Sequence, residues 1–67
     1  MSYLLFAGDD YYALGGAEDL QGKYSTIQDA INAHDPSKFD IDGGWANILC
    51  IETMAIVNRF NRGIWHE

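Results

Sequence analysis

Four short segments of the chain have strand-like patterns of apolar and polar residues. Residues 3–7 form an unbroken apolar and aromatic run that ends at Gly8, which is typical of a buried strand. Residues 20–24 alternate, with Leu20 and Tyr24 on one face, which is typical of a half-exposed strand. The runs 45–51 and 55–60 are rich in strand formers, and the three residues between them are short enough for a hairpin. The pattern therefore predicts four strands.

One helix is predicted between the second and third strands. Ser25 and Gln28 stand at capping-box spacing, in which the serine hydroxyl accepts from the Gln28 backbone amide and the glutamine side chain reaches back. Three apolar residues at helical spacing follow: Ile27, Ala30 and Ile31. The helix ends before Pro36, because the residue preceding a proline disfavours helical backbone. A helix over 26–34 is too short to be stable alone, so it must pack on the sheet.

The remaining residues form two polar loops and a tail. Loop 9–19 contains two adjacent glycines, and loop 37–44 contains Gly43 and Gly44, with Phe39 and Ile41 as expected anchors. The glycine pairs indicate flexible loops, and the aromatic tail 64–67 either packs down or frays. The predicted fold is a single α+β domain over residues 1–67: a four-stranded, mainly antiparallel sheet with one short helix on one face, in chain order β-β-α-β-β.

Composition excludes several classes of protein. Four Lys or Arg against ten Asp or Glu give a net charge of -6, which opposes direct binding of nucleic acid. Cys50 is the only cysteine, so neither an internal disulfide nor a cysteine-rich zinc site is possible. No run approaches the roughly 20 apolar residues of a membrane span, and the start lacks the basic region of a signal peptide. We expect a soluble, cytoplasmic protein with no membrane association.

Candidate catalytic and metal-binding residues have no supporting pattern. Cys50 lies in an apolar strand, where a thiol acts as a small hydrophobe, and His34 and His66 are expected to cap a helix or face solvent. A calcium loop centred on Gly43 fails because its first ligand position would be Lys38 and its closing position Leu49. No phosphate-binding loop is present. We therefore predict no enzyme activity, no cofactor and no metal.

The position of the acidic residues is more informative than their number. Residues 1–42 contain eight of the ten carboxylates with only Lys23 and Lys38, so this part carries the whole net charge. Most of these carboxylates lie in the two loops, interleaved with tyrosines. The predicted partner-binding residues are Asp9, Asp10, Tyr11, Tyr12, Glu18, Asp19, Asp40 and Asp42. Such a surface suits a protein partner whose own site is basic and normally holds nucleic acid.

The segments 3–12, 15–16 and 22–25 and the hairpin 45–60 resemble small phage-type accessory proteins. In size, acidity and lack of a catalytic set, the chain is also similar in general character to anti-CRISPR proteins. That resemblance implies an acidic inhibitor that binds a host type I Cascade complex at or near its positive DNA-binding surface and blocks target DNA. The alternative is a protein-interaction or regulatory module that uses an exposed sheet face and exists as a monomer or weak homodimer.

Overall fold

A computed structural model of the chain describes residues 1–9, 19–39 and 43–67. These residues include an antiparallel sheet, an α-helix and a 3₁₀ turn. The strands are β1 (Tyr3–Gly8), β2 (Leu20–Tyr24), β3 (Trp45–Cys50), β4 (Ala55–Asn61) and β5 (Ile64–His66). The helix α1 spans Ile27–Ala33, and the 3₁₀ turn spans Pro36–Lys38. The strands lie in the order β2-β1-β3-β4-β5, and every neighbouring pair is antiparallel.

The predicted α+β class, the antiparallel sheet and the single short helix are confirmed, but the prediction of four strands was wrong. The tail forms a fifth strand, so the described elements follow the chain order β-β-α-β-β-β. Arg62 and Gly63, with φ of 49° and 79°, make a two-residue turn that pairs Asn61 with Ile64. Positive φ at both central residues is the type I′ geometry that suits a tight hairpin. The residues that interrupt the strand pattern therefore reverse the chain.

The helix begins one residue later than predicted. Thr26, rather than Ser25, is the N-cap, and its Oγ1 accepts from the Asp29 backbone amide at 3.0 Å. The side chain of Gln28 is instead directed along the helix and donates to Asn32 Oδ1 at 3.0 Å. At the other end the His34 amide donates to the Ile31 carbonyl at 3.2 Å, so His34 is the C-cap.

The core lies between α1 and one face of the sheet. Its buried apolar residues come from the helix and from three strands: Leu5, Ala7, Ala30, Ala46, Ile48 and Phe60. The helix packs against β1 and β2. The other half of this face is covered by an aromatic cluster of His34, Phe39, Phe60 and Trp65. The expected anchoring role of Phe39 is thereby confirmed, whereas Ile41 lies outside the described residues.

Gly43 and Gly44 were expected in a flexible loop, but both are buried. Their φ values of 84° and 71° lie in the left-handed region that favours glycine. A Cβ on Gly43 would contact Pro36, and one on Gly44 would contact the Gly8 carbonyl and Phe39. The pair is a point of close backbone packing where the chain enters β3. The other glycine pair, Gly15 and Gly16, lies outside the described residues.

Candidate interaction surface

The second face of the sheet has no described helix or loop packed on it. Strand alternation and register place a row of apolar side chains across three central strands: Leu4 of β1, Leu49 of β3 and Ile56 of β4. Phe6 lies one row along, opposite Leu20 on one side and Asn47 on the other. Trp45 lies in the third row, opposite Gly8. We call this surface the uncovered face.

The uncovered face is partly accessible to solvent across most of its width. Leu20 and Ile56 are 44% and 39% exposed, and Leu4, Phe6 and Leu49 are half-buried. On the opposite face, by contrast, Leu5 and Ile48 are fully buried. Apolar side chains that remain partly exposed in adjoining rows are typical of a surface that binds another molecule.

Basic side chains flank the apolar rows of the uncovered face. Lys23 of β2 lies opposite Leu4, and Arg59 of β4 lies opposite Asn47. His66 of β5 lies opposite Arg59 and is exposed. No described strand residue that points to this face is acidic. Although the whole chain has a net charge of -6, this surface is therefore apolar with positive flanks.

Only two of the eight predicted partner-binding residues lie among the described residues. Asp9 follows β1 and is half-buried, whereas Asp19 precedes β2 and is 4% exposed, so its side chain offers little surface to a partner. The other six lie outside the described residues: Asp10, Tyr11, Tyr12, Glu18, Asp40 and Asp42.

The described ends of both acidic loops meet at one end of the sheet, because Gly8 pairs with Trp45 and Gly44 lies against the Gly8 carbonyl.

His34 was expected to cap a helix or to face solvent, and its backbone does cap α1, but its side chain is buried. It is 8% exposed and packs against Phe39, Phe60 and Trp65 at ring-centroid distances of 5.4, 4.6 and 5.8 Å. Among the described residues, neither ring nitrogen makes a hydrogen bond of ordinary geometry, and the Gly43 backbone makes only a weak polar contact with the ring. Burial lowers the pKa of His34, and the Gly43 backbone and the Asp35 carboxylate offset this only in part.

The neutral state of His34 predicts that the protein loses stability in mild acid. Because the folded pKa lies below the unfolded value of about 6.5, the unfolded chain binds the proton first as pH falls. The free energy of unfolding should be highest above that pH and should fall as pH decreases towards the folded pKa. Urea unfolding at pH 7.5 and pH 5.5 measures this difference.

The control for this prediction is His34→Phe, which keeps an aromatic ring in the cluster. It should be at least as stable as the wild type at pH 7.5, since it removes unpaired buried polar atoms. Its stability should change less between the two pH values. Asp35 does not contribute to this difference, because hydrogen bonds from Ser37 lower the pKa of Asp35 below its usual acidic value and the carboxylate stays ionised at both pH values. An equal pH dependence in both proteins would contradict the assignment to His34.

The described residues contain no cluster of three or more potential metal ligands, and none of their helices is long and apolar enough to cross a membrane. Cys50 is 3% exposed, and its Sγ lies 3.7 Å from Glu52 Oε1.

A separate groove of about 460 Å³ lies between α1 and β4 on the helix side of the sheet. Its lining residues are Ile27, Gln28, Ile31, Val57, Asn58 and Glu67.

Together these features define a small α+β protein in which one sheet face is covered by the helix and the other has no described helix or loop on it. Residues 3–67 match the family described as Bacteriophage T4 protein Y07C, and the chain belongs to that family. The predicted kinship with phage proteins is therefore confirmed. No curated protein and no solved structure matches the chain.

Proposed function

We propose that this phage protein is a protein-binding module whose binding surface is the uncovered face of its sheet. One observation carries the proposal: apolar side chains of four neighbouring strands, which are Leu20, Leu4, Phe6, Leu49 and Ile56, remain partly exposed on one continuous face. A binding role needs no nucleophile, base or metal, which agrees with the lack of a catalytic pattern in the sequence.

The size of this face corresponds to a small interface. The five strands have three to seven residues each, and with about 3.3 Å per residue and about 4.8 Å between strands they give a flat area of roughly 430 Å². A partner covering it would bury roughly 900 Å² when both proteins are counted, which is the size of a weak or transient interface. The occupant we propose is a different protein of the infected host, bound by its own apolar side chains.

The test compares capture of host proteins by the wild type, Ile56→Gln and Met54→Gln. Both substitutions replace an exposed apolar side chain with the same neutral amide, but Ile56 lies on the uncovered face and Met54, which is 71% exposed, lies in the β3–β4 turn. Each protein is immobilised, incubated with host lysate, and its retained proteins are quantified by mass spectrometry. We expect a retained protein whose affinity falls at least about tenfold with Ile56→Gln and is unchanged with Met54→Gln.

Retention that is the same for all three proteins would contradict a role for the uncovered face. Circular dichroism of each variant shows whether the fold is kept. Since Ile56 is 39% exposed, its replacement should leave the sheet intact. A loss of binding accompanied by a loss of the folded signal would be attributed to unfolding, and Ile56→Thr, which keeps a β-branched side chain, would then replace Ile56→Gln.

The acidic inhibitor of a type I Cascade complex is the second candidate function. Its support is the charge of -6, the phage family, and the meeting of the described ends of both acidic loops at one end of the sheet. The same capture experiment separates the two candidates. A partner held by the acidic loops would be lost on combining Asp9→Lys with Asp10→Lys, and on raising salt, but would be kept by Ile56→Gln.

A further inference from the structure

The four basic side chains of the chain divide into two pairs. Lys23 and Arg59 lie on the uncovered face, on strands β2 and β4. Lys38 ends the 3₁₀ turn on the other side of the sheet, and Arg62 lies in the β4–β5 turn. One pair therefore flanks the apolar rows, and the other does not.

The distance between the flanking charges matches a helix. Lys23 and Arg59 are separated by β1 and β3, which is three strand spacings or about 14 Å across the sheet. An α-helix with its side chains is about 10–12 Å in diameter. A helix lying along β1 and β3 would cover Leu4, Phe6 and Leu49 and would bring the side chains on its two flanks close to the two cations.

We infer that the uncovered face binds an acidic amphipathic helix of a partner protein, with an apolar stripe on β1 and β3 and carboxylates beside Lys23 and Arg59. This inference rests on the proposed function and adds the chemistry of the partner. Partly exposed cations at the rim of an apolar surface contribute selectivity for opposite charge more than affinity. His66, beside Arg59, adds a further donor on the same flank.

A second copy of the chain fits this surface poorly. In a two-fold symmetric contact the same face meets itself, so Lys23 and Arg59 of both copies would lie at one interface. The described strand residues of this face include no carboxylate to pair with them. Nucleic acid also fits poorly, because the row of Leu4, Leu49 and Ile56 offers no aromatic ring for a base to stack on, and the whole chain repels phosphate with its net charge of -6.

The test uses three hydrocarbon-stapled peptides of about 14 residues, roughly 21 Å long when helical. All three have the same Leu/Ile stripe, and its flanking positions are all Glu, all Gln or all Lys. Stapling keeps each peptide helical, so differences in binding reflect the flanks. Binding to the full chain is measured by amide chemical shifts of the uncovered face and by fluorescence anisotropy.

We expect the Glu peptide to bind about tenfold more tightly than the Gln peptide at low salt, and the Lys peptide to bind most weakly. The difference should shrink as ionic strength rises. Combining Lys23→Glu with Arg59→Glu should reverse the order of the peptides. Combining Lys38→Glu with Arg62→Glu changes the net charge equally and should keep the order, so it is the matched control.

Four results would overturn the inference. Equal binding of the Glu and Gln peptides on the uncovered face would remove the charge preference and leave the proposed function standing. If no peptide changes the amide chemical shifts of this face, the partner is not a helix. The capture experiment tests the proposed function separately. A concentration-dependent dimer abolished by Ile56→Gln would assign the face to a second copy. Tighter binding of a single-stranded oligonucleotide than of the Glu peptide, lost with Lys23→Glu, would assign it to nucleic acid.

Discussion

Replacing Gly44 with alanine should lower the free energy of unfolding by more than about 3 kcal/mol, the largest effect expected of one added methyl group at the described glycines. Two costs combine. The backbone at Gly44 has φ of 71°, which side-chain-bearing residues rarely adopt. The added Cβ would also overlap the Gly8 carbonyl oxygen and lie 2.8 Å from Phe39 Cβ. Since Gly8 belongs to β1 and Trp45 begins β3, relief requires movement of two central strands.

Gly63→Ala is the matched control for this substitution. Gly63 has nearly the same backbone conformation, with φ of 79°, but no atom lies within 4 Å of the position its Cβ would occupy. It should therefore incur only the conformational cost, about 1 kcal/mol. Urea denaturation followed by tryptophan fluorescence measures both variants. A domain of this size is stable by only about 3–10 kcal/mol, so Gly44→Ala should lose a large part of its stability and unfold at a much lower urea concentration than the wild type. Equal losses in the two variants would contradict the close packing at Gly44.

Replacing Ile48 with alanine should lower the free energy of unfolding by about 2–5 kcal/mol. Ile48 is fully buried in the central strand β3 and faces the helix side of the sheet with Leu5 and Asn58 beside it. Its truncation removes apolar contacts and leaves a cavity that the flanking strands cannot close without shifting.

Ile56→Ala removes the same atoms from the opposite face and is the control. Ile56 is 39% exposed, so we expect a loss below about 1 kcal/mol. Thermal and urea unfolding of both variants give the comparison. Similar losses at the two positions would mean that the uncovered face contributes to the core, and would count against its proposed role in binding. The expected contrast separates stability, which depends on one face of the sheet, from recognition, which we assign to the other.

Much of the fold follows from local patterns in the sequence. The apolar run at the start, the alternation at 20–24 and the two later runs correspond to strands β1 to β4, with ends that differ by one residue at most. The helix stripe of Ile27, Ala30 and Ile31 does face the core. These features are predictable because each depends on neighbours within one or two turns of the chain.

The missing strand has a specific physical cause. Asn61, Arg62 and Gly63 read as an interruption, and a three-residue strand such as Ile64–His66 has too few residues to show alternation. Its stability comes from tertiary contacts, because Trp65 packs on Phe60 at a ring-centroid distance of 5.3 Å and joins the His34 cluster. The N-cap was displaced for a related reason: Ser25 and Thr26 are both good caps, and only the path of the chain out of β2 selects Thr26.

The candidate site was located less well than the fold. The sequence emphasised acidic residues, since their excess is visible in the composition. The uncovered face consists of apolar residues such as Leu4 and Leu49 that sit between core residues in the same runs, so they looked like part of the core. Lys23 and Arg59 are 36 positions apart in the chain, and only the strand order β2-β1-β3-β4 places them on two sides of one surface.

By itself the sequence determined that this chain is a small α+β domain with a strong acidic excess, because composition and local periodicity depend only on near neighbours. The tertiary structure decided which side of each apolar strand the helix covers, that Gly43 and Gly44 are packed, and that the basic residues flank an uncovered surface. These outcomes depend on strand order and register. Both are set by pairings between residues far apart in the chain, and no local pattern specifies them.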